Sequence, residues 1–129
     1  MPEQPAAMER LAGRVRDALA AADLEAYRDL LAPGVTWGPP GHDFSCRDRE
    51  QVIAWYARAR AAGARARVTE TTVSGDHILV GLAVTGRDGA PSGGERRWQV
   101  LTVWGGRVAV IEGFETRAEA AARAGVLPS

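Results

Sequence analysis

Residues 23–56, DLEAYRDLLAPGVTWGPPGHDFSCRDREQVIAWY, decide the fold. Asp23 stands where an N-cap belongs, because its carboxylate can accept from the free backbone N–H groups of a first helical turn. The short helix it opens carries Leu24, Tyr27, Leu30 and Leu31. Pro33-Gly34 stops that helix, Val35-Thr36-Trp37 reads as a brief strand, and the Gly-Pro-Pro-Gly run after it cannot be regular structure. Phe44–Arg47 is a candidate for another short strand. Asp48 caps the next helix, with Gln51 three residues on completing a capping-box-like pair. Val52, Ile53, Trp55 and Tyr56 ride on that helix, and Gly63 is its stop. This order of parts describes one side wall and the mouth of a cone-shaped pocket.

Upstream, Met8, Leu11, Val15 and Leu19 recur at steps of three and four and predict a first helix over about Glu3–Ala22. Downstream, the apolar period switches from helical to two at Arg65. Strands are expected at about 65–74, 77–86, 95–104 and 107–115. Gly75-Asp76, the loop RDGAPSGG (87–94) and Gly105-Gly106 join them into an antiparallel meander. Thr116 and Glu119 are spaced as a capping box, and Gly125 is the stop of a short terminal helix. The expected class is α+β: a curled antiparallel sheet, three N-terminal helices on one face enclosing a pocket, and a short C-terminal helix. Residues 1–129 read as a single domain.

Bulk composition narrows the function. A chain of 129 residues can bury roughly 65–70% of its unfolded surface in one core. Sixteen basic and sixteen acidic side chains balance, so no global field recruits nucleic acid or an anionic membrane. All the basic residues are Arg; without Lys there is no Schiff-base chemistry. The alanine and arginine bias points to a GC-rich bacterium. Cys46 is the sole cysteine, which excludes an internal disulfide and a Cys-rich zinc site. The first residues lack the basic and apolar regions of a signal peptide, and no apolar run approaches the roughly 20 residues of a membrane span. A reduced cytoplasmic location, no cofactor and no metal are the expectations.

The element order resembles the nuclear transport factor 2-like superfamily, with its SnoaL-like and ketosteroid-isomerase-like members foremost. DLEAYRDLLAPGVTW, REQVIAWY and VLTVWGGRVAVIEGF followed by a Thr-Arg-Ala-Glu helix start carry the resemblance. It implies a cone with a pocket for a small apolar ligand, and in many members a homodimer through the outer sheet face. Carried over position by position, it also removes the family's chemistry. The isomerase base falls at Pro39, its oxyanion Tyr near Val15, and the partner Asp near Gln99. The epoxide hydrolase Arg and two Asp fall at Leu82, Val84 and Gly113, and the cyclase base also falls close to Gly113.

The remaining candidates are few. His42 and Asp43 are adjacent in the pocket-mouth loop, where a His beside a carboxylate can serve as a tuned base; an ordinary solvated pair is the alternative. His77 reads as a turn residue. By the resemblance, the pocket wall is expected to hold Trp37, Tyr56, Val80, Leu82, Gln99, Leu101, Ile111 and Gly113. Trp98 and Trp104 share a strand parity opposite to Gln99, which puts them on the outer face as a dimer surface. Glu112 and Glu115 bracket the end of the last strand, as rim or outer-face residues. Arg58, Arg60, Arg65 and Arg67 read as a solvated face. Two functions stay open. One is a cofactor-independent cyclase, isomerase or dehydratase acting on an apolar cyclic or polyketide-like substrate. The other is a non-catalytic ligand-binding or dimeric interaction module.

Overall fold

Helix capping and strand alternation set the order of elements in the computed structural model, which describes residues 4–38, 45–86 and 95–126. The chain runs α1 (Pro5–Ala21), α2 (Leu24–Leu30), β1 (Leu31–Gly38), α3 (Arg49–Ala61), β2 (Arg65–Ser74), β3 (His77–Thr85), β4 (Glu95–Trp104), β5 (Arg107–Phe114) and α4 (Arg117–Ala124). Each expected cap is made. Asp23 Oδ1 accepts from Ala26 N at 3.0 Å, Asp48 Oδ1 from Gln51 N at 2.8 Å, and Thr116 Oγ1 from Glu119 N at 3.2 Å. Gln51 returns a bond to Arg47 N at 2.7 Å, one residue before the cap, so the box is closed on its outer side. Pro5 stands in the first turn of α1, where its missing N–H costs nothing.

The α+β expectation holds. Five strands form one curled, unclosed sheet in the order β1-β5-β4-β3-β2. The meander β2–β5 is antiparallel. β1, however, joins β5 in parallel, a pairing open to it because the whole of α3 and the meander lie between them in the chain. β1 is also longer than Val35–Trp37. Leu31 already pairs with Val108, and Thr36 with Val110. Five residues of β1 therefore pass two of β5, and the excess lies around Pro33-Gly34, where proline could not have donated to a ladder. The stop expected of Pro33 is made two residues sooner, by Leu31 turning extended. Of the expected strand at 44–47, Trp37 and Cys46 form an isolated antiparallel bridge, and Phe44 lies outside the described residues.

Alternation then sorts the two faces. Ile78, Val80, Leu82, Leu101, Val103 and Ile111 point inward and pack with Met8, Leu11, Val15, Tyr27 and Val52 from the first three helices. The first three helices keep to that face, and α4 does not. It lies across β3, β4 and β5 on the opposite face, where Ala120, Ala121 and Ala124 bring it close to Leu79 and Val100, with Trp98 and Phe114 at the edge. Small alanines permit that approach. Arg117 fastens the start of α4 through two bonds to Glu70, of 2.8 and 2.9 Å, and Arg123 pairs with Glu112 at 2.9 Å near its end. Among the described residues no helix is long and apolar enough to cross a membrane.

Two outcomes test this arrangement. A Cβ built on Gly81 would stand 2.5 Å from Trp98 Cζ3 and 2.7 Å from Thr69 Oγ1, so the indole lies across the bare glycine. Gly81→Ala should cost about 1–3 kcal/mol in urea denaturation, the cost of overpacking, and an unchanged midpoint contradicts that packing. The Arg117 bonds, with a smaller contribution from Thr72, hold the Glu70 carboxyl below its usual range against opposing desolvation. A lowered carboxyl pKa contributes stability above the unfolded value of about 4.3, lost as pH falls through the folded value. Glu70→Gln should thus be less stable than wild type at pH 7, with the gap closing below about pH 4; a gap constant from pH 7 to 3 argues against the pair.

Candidate functional site

Tyr56 is the centre of the site because four elements meet on it. Its position on α3 turns the ring against Trp37 at the end of β1, stacked at 5.1 Å and 20°. The buried Tyr27 of α2 meets it edge-on at 5.6 Å and 87°. Trp55, also on α3, stands edge-on to Trp37 at 4.8 Å. From the middle of β4, Gln99 Nε2 donates to the Tyr56 hydroxyl at 3.1 Å.

Gln99 is only 6% exposed, the one buried polar side chain among the described residues. Its Oε1 is buried and makes no hydrogen bond. Burial is the largest influence on both phenols. It drives Tyr27 well above the usual tyrosine value, helped by the nearby Tyr56, and raises Tyr56 against the opposing bond from Gln99. Both are neutral donors at physiological pH, not bases. Cys46 is raised by the same cause, with Arg58 opposing, and stays a thiol.

A cavity of about 1000 Å³ opens beside this group. Its wall includes Leu19 and Leu24, Trp37, Trp55 and Tyr56, Leu82 and Val84, and Gln99. Gly113 borders it too, and a Cβ there would meet nothing within 4 Å. The mouth carries Arg60, Arg65, Arg97 and Glu115. Glu115, exposed, is the only carboxylate among the described lining residues. A smaller cavity of about 260 Å³ lies between Trp37, Ser45, Cys46, Trp55 and Gly113.

Of the residues expected on the wall, the structure brings Trp37, Tyr56, Leu82, Gln99 and Gly113 to the cavity. Val80, Leu101 and Ile111 share the inward face but lie deeper, fully buried in the main core under α1–α3. His42, Asp43 and Pro39 lie outside the described residues, as does the loop 87–94. Trp104 is 66% exposed at the end of β4, whereas Trp98 is partly buried against the α4 cluster, so the two tryptophans do not form one free surface. His77 bonds Thr102 through Nδ1 at 3.1 Å, and desolvation with the nearby Arg123 lowers its pKa. It sits at the Asp76 turn, away from the cavity lining. Arg60 and Arg65 at the mouth went unrecognised in the sequence; their clustering was visible, but their direction was not. No group of three or more potential metal ligands occurs among the described residues.

A curled sheet closed on one side by helices around a lined cavity is the nuclear transport factor 2-like cone. Within that class the chain belongs to the SnoaL-like domain family, which it matches over residues 12–118. No curated protein matches the chain significantly. Solved structures do. A candidate polyketide cyclase from Sinorhizobium meliloti superposes with a TM-score of 0.64 at 26% identity, covering 84% of this chain and 98% of the other. A candidate ketosteroid isomerase from Kribbella flavida gives 0.68 at 22% identity, over 87% and 79%. An LEH-like epoxide hydrolase of M. tuberculosis gives 0.63 at 15% identity, over 94% and 93%. At such identities the last two speak for the fold alone.

The Tyr56–Gln99 bond has an energetic signature. Tyr56→Phe strips the amide of its partner and should cost about 1–3 kcal/mol. Combining it with Gln99→Leu should recover part of that loss, since the buried amide is then no longer left without a partner. Additive losses in the double variant, measured by urea denaturation, contradict the pairing.

Proposed function

We propose that this chain is a small-molecule pocket protein that takes an apolar cyclic or polyketide-like compound bearing a hydroxyl group. The observation that carries the reading is the unpartnered Gln99 Oε1, held beside the Tyr56 hydroxyl at the wall of an otherwise mainly apolar cavity. A buried acceptor without a partner costs stability that a ligand donor restores. The neutral Tyr56 hydroxyl supplies the complementary donor. Together they fix the orientation of a ring system that Trp37, Leu82 and Val84 hold by contact.

Turnover on this reading is cofactor-independent, of the cyclase, isomerase or dehydratase kind. It works by holding a reactive conformer and polarising one oxygen. The oxygen is polarised by Tyr56 donation, and the adjacent pair His42-Asp43 is the candidate base. The second reading, binding without turnover, draws support from the lining, where Glu115, exposed, is the sole carboxylate among the described residues. A homodimer in the cytoplasm completes either version, with the exposed Trp104 as a contact.

Titration calorimetry with 2-naphthol and naphthalene tests the carrying observation. The phenol should bind at least ten-fold tighter, and Gln99→Leu should erase that preference. Equal affinities in the wild-type protein overturn the reading. Native mass spectrometry of protein purified from its own host then separates the two versions: a retained compound converted to product on incubation removes binding without turnover, and an unchanged compound removes catalysis of it.

A further inference from the structure

The mouth of the cavity is basic in a protein whose total charge is balanced. Arg60, Arg65 and Arg97 face Glu115 alone among the described lining residues. Arg97 is offset by its ion pair with Glu95, two residues away on β4. Arg60 and Arg65 make no ion pair among the described residues. They are also joined. Arg65 Nη1 donates to the backbone oxygens of Arg60 at 3.0 Å and Ala64 at 2.8 Å, which folds its guanidinium over the C-terminal end of α3.

Those two bonds use one nitrogen. Nε and Nη2 of Arg65 keep their donors, and the plane of the fork is fixed before anything arrives. Capping of α3 accounts for the position of Arg65, since carbonyls at a helix end favour a cation. It does not account for Arg60, which also lines the cavity and makes no ion pair among the described residues. Both residues line the cavity, and a guanidinium there matches a carboxylate, which bidentate guanidinium contacts bind with direction as well as charge.

We infer that Arg60 and Arg65 form a carboxylate-binding corner, and that the natural ligand is a hydroxylated cyclic acid. The ring hydroxyl meets Gln99 and Tyr56 on the cavity wall, and the acid group stays at the mouth. The inference rests on the proposed function, because it assigns one end of the same ligand.

The test uses 2-naphthol and 6-hydroxy-2-naphthoic acid, which differ by one carboxylate. At low ionic strength the acid should bind at least ten-fold tighter than 2-naphthol, and the ratio should shrink as salt is raised. In Arg60→Met/Arg65→Met it should fall to near one. Arg65→Lys should give an intermediate ratio, keeping the charge without the fork, and Arg60→Met alone serves if the double variant does not fold. Arg67→Met, exposed and off the cavity wall, should keep the full ratio. Tight 2-naphthol binding with no preference for the acid overturns this inference and leaves the proposed function standing. A preference that survives in the double variant overturns the assignment to Arg60 and Arg65. No binding of either probe overturns both.

Discussion

Tyr56 is the side chain on which the arrangement of the cavity turns. Its ring is gripped by Trp37 on one side and Tyr27 at the edge, and its hydroxyl takes the Gln99 amide. One residue of α3 is thereby tied to α2, β1 and the central strand β4. Aromatic contacts of this kind add about 0.5–1.5 kcal/mol each beyond burial. The hydrogen bond adds about as much, and it is directional. Position and stability come from the same contacts, so the polar part of the cavity wall is preorganised and not assembled by the ligand.

The depth of the cavity follows from where the core stops. The inward face of the sheet is filled by α1–α3 over Val80, Leu101 and Ile111, and left open near Leu82, Gln99 and Gly113. On the other face, α4 is pinned by Arg117 and Glu70. The sheet is therefore supported on both sides at its centre, and the cavity opens between its inward face and residues of α1, α2 and α3. That leaves a scaffold held firmly where it is packed and accessible where it is empty.

Much of this was legible in the sequence, for physical reasons that differ by element. Caps are local: Asp23, Asp48 and Thr116 need only their own first turns, and each was placed correctly. Strand alternation told inward from outward, which is why Gln99 and Leu101 share a face. Alternation has no information on depth, so it could not separate Gln99 at the cavity from Leu101 in the sealed core. Leu30-Leu31 fits a helical stripe as well as a strand start, which hid the beginning of β1. The side chosen by α4 depends on tertiary contacts far along the chain. Arg65 was hidden for another reason: a long side chain at an element boundary can fold back on its neighbour, and periodicity describes only the Cβ direction.

Gly113 has a further meaning. It lies on the cavity wall with open space where a side chain would start, at a place where the family resemblance puts acidic groups. Every glycine codon is one base change from an aspartate or a glutamate codon. The seat for a carboxylate is thus vacant and sterically ready, a few residues from a preset hydrogen-bonding pair. A single substitution at Gly113 would therefore set an acid on the cavity wall without displacing any described neighbour, a change of chemistry on an unchanged scaffold.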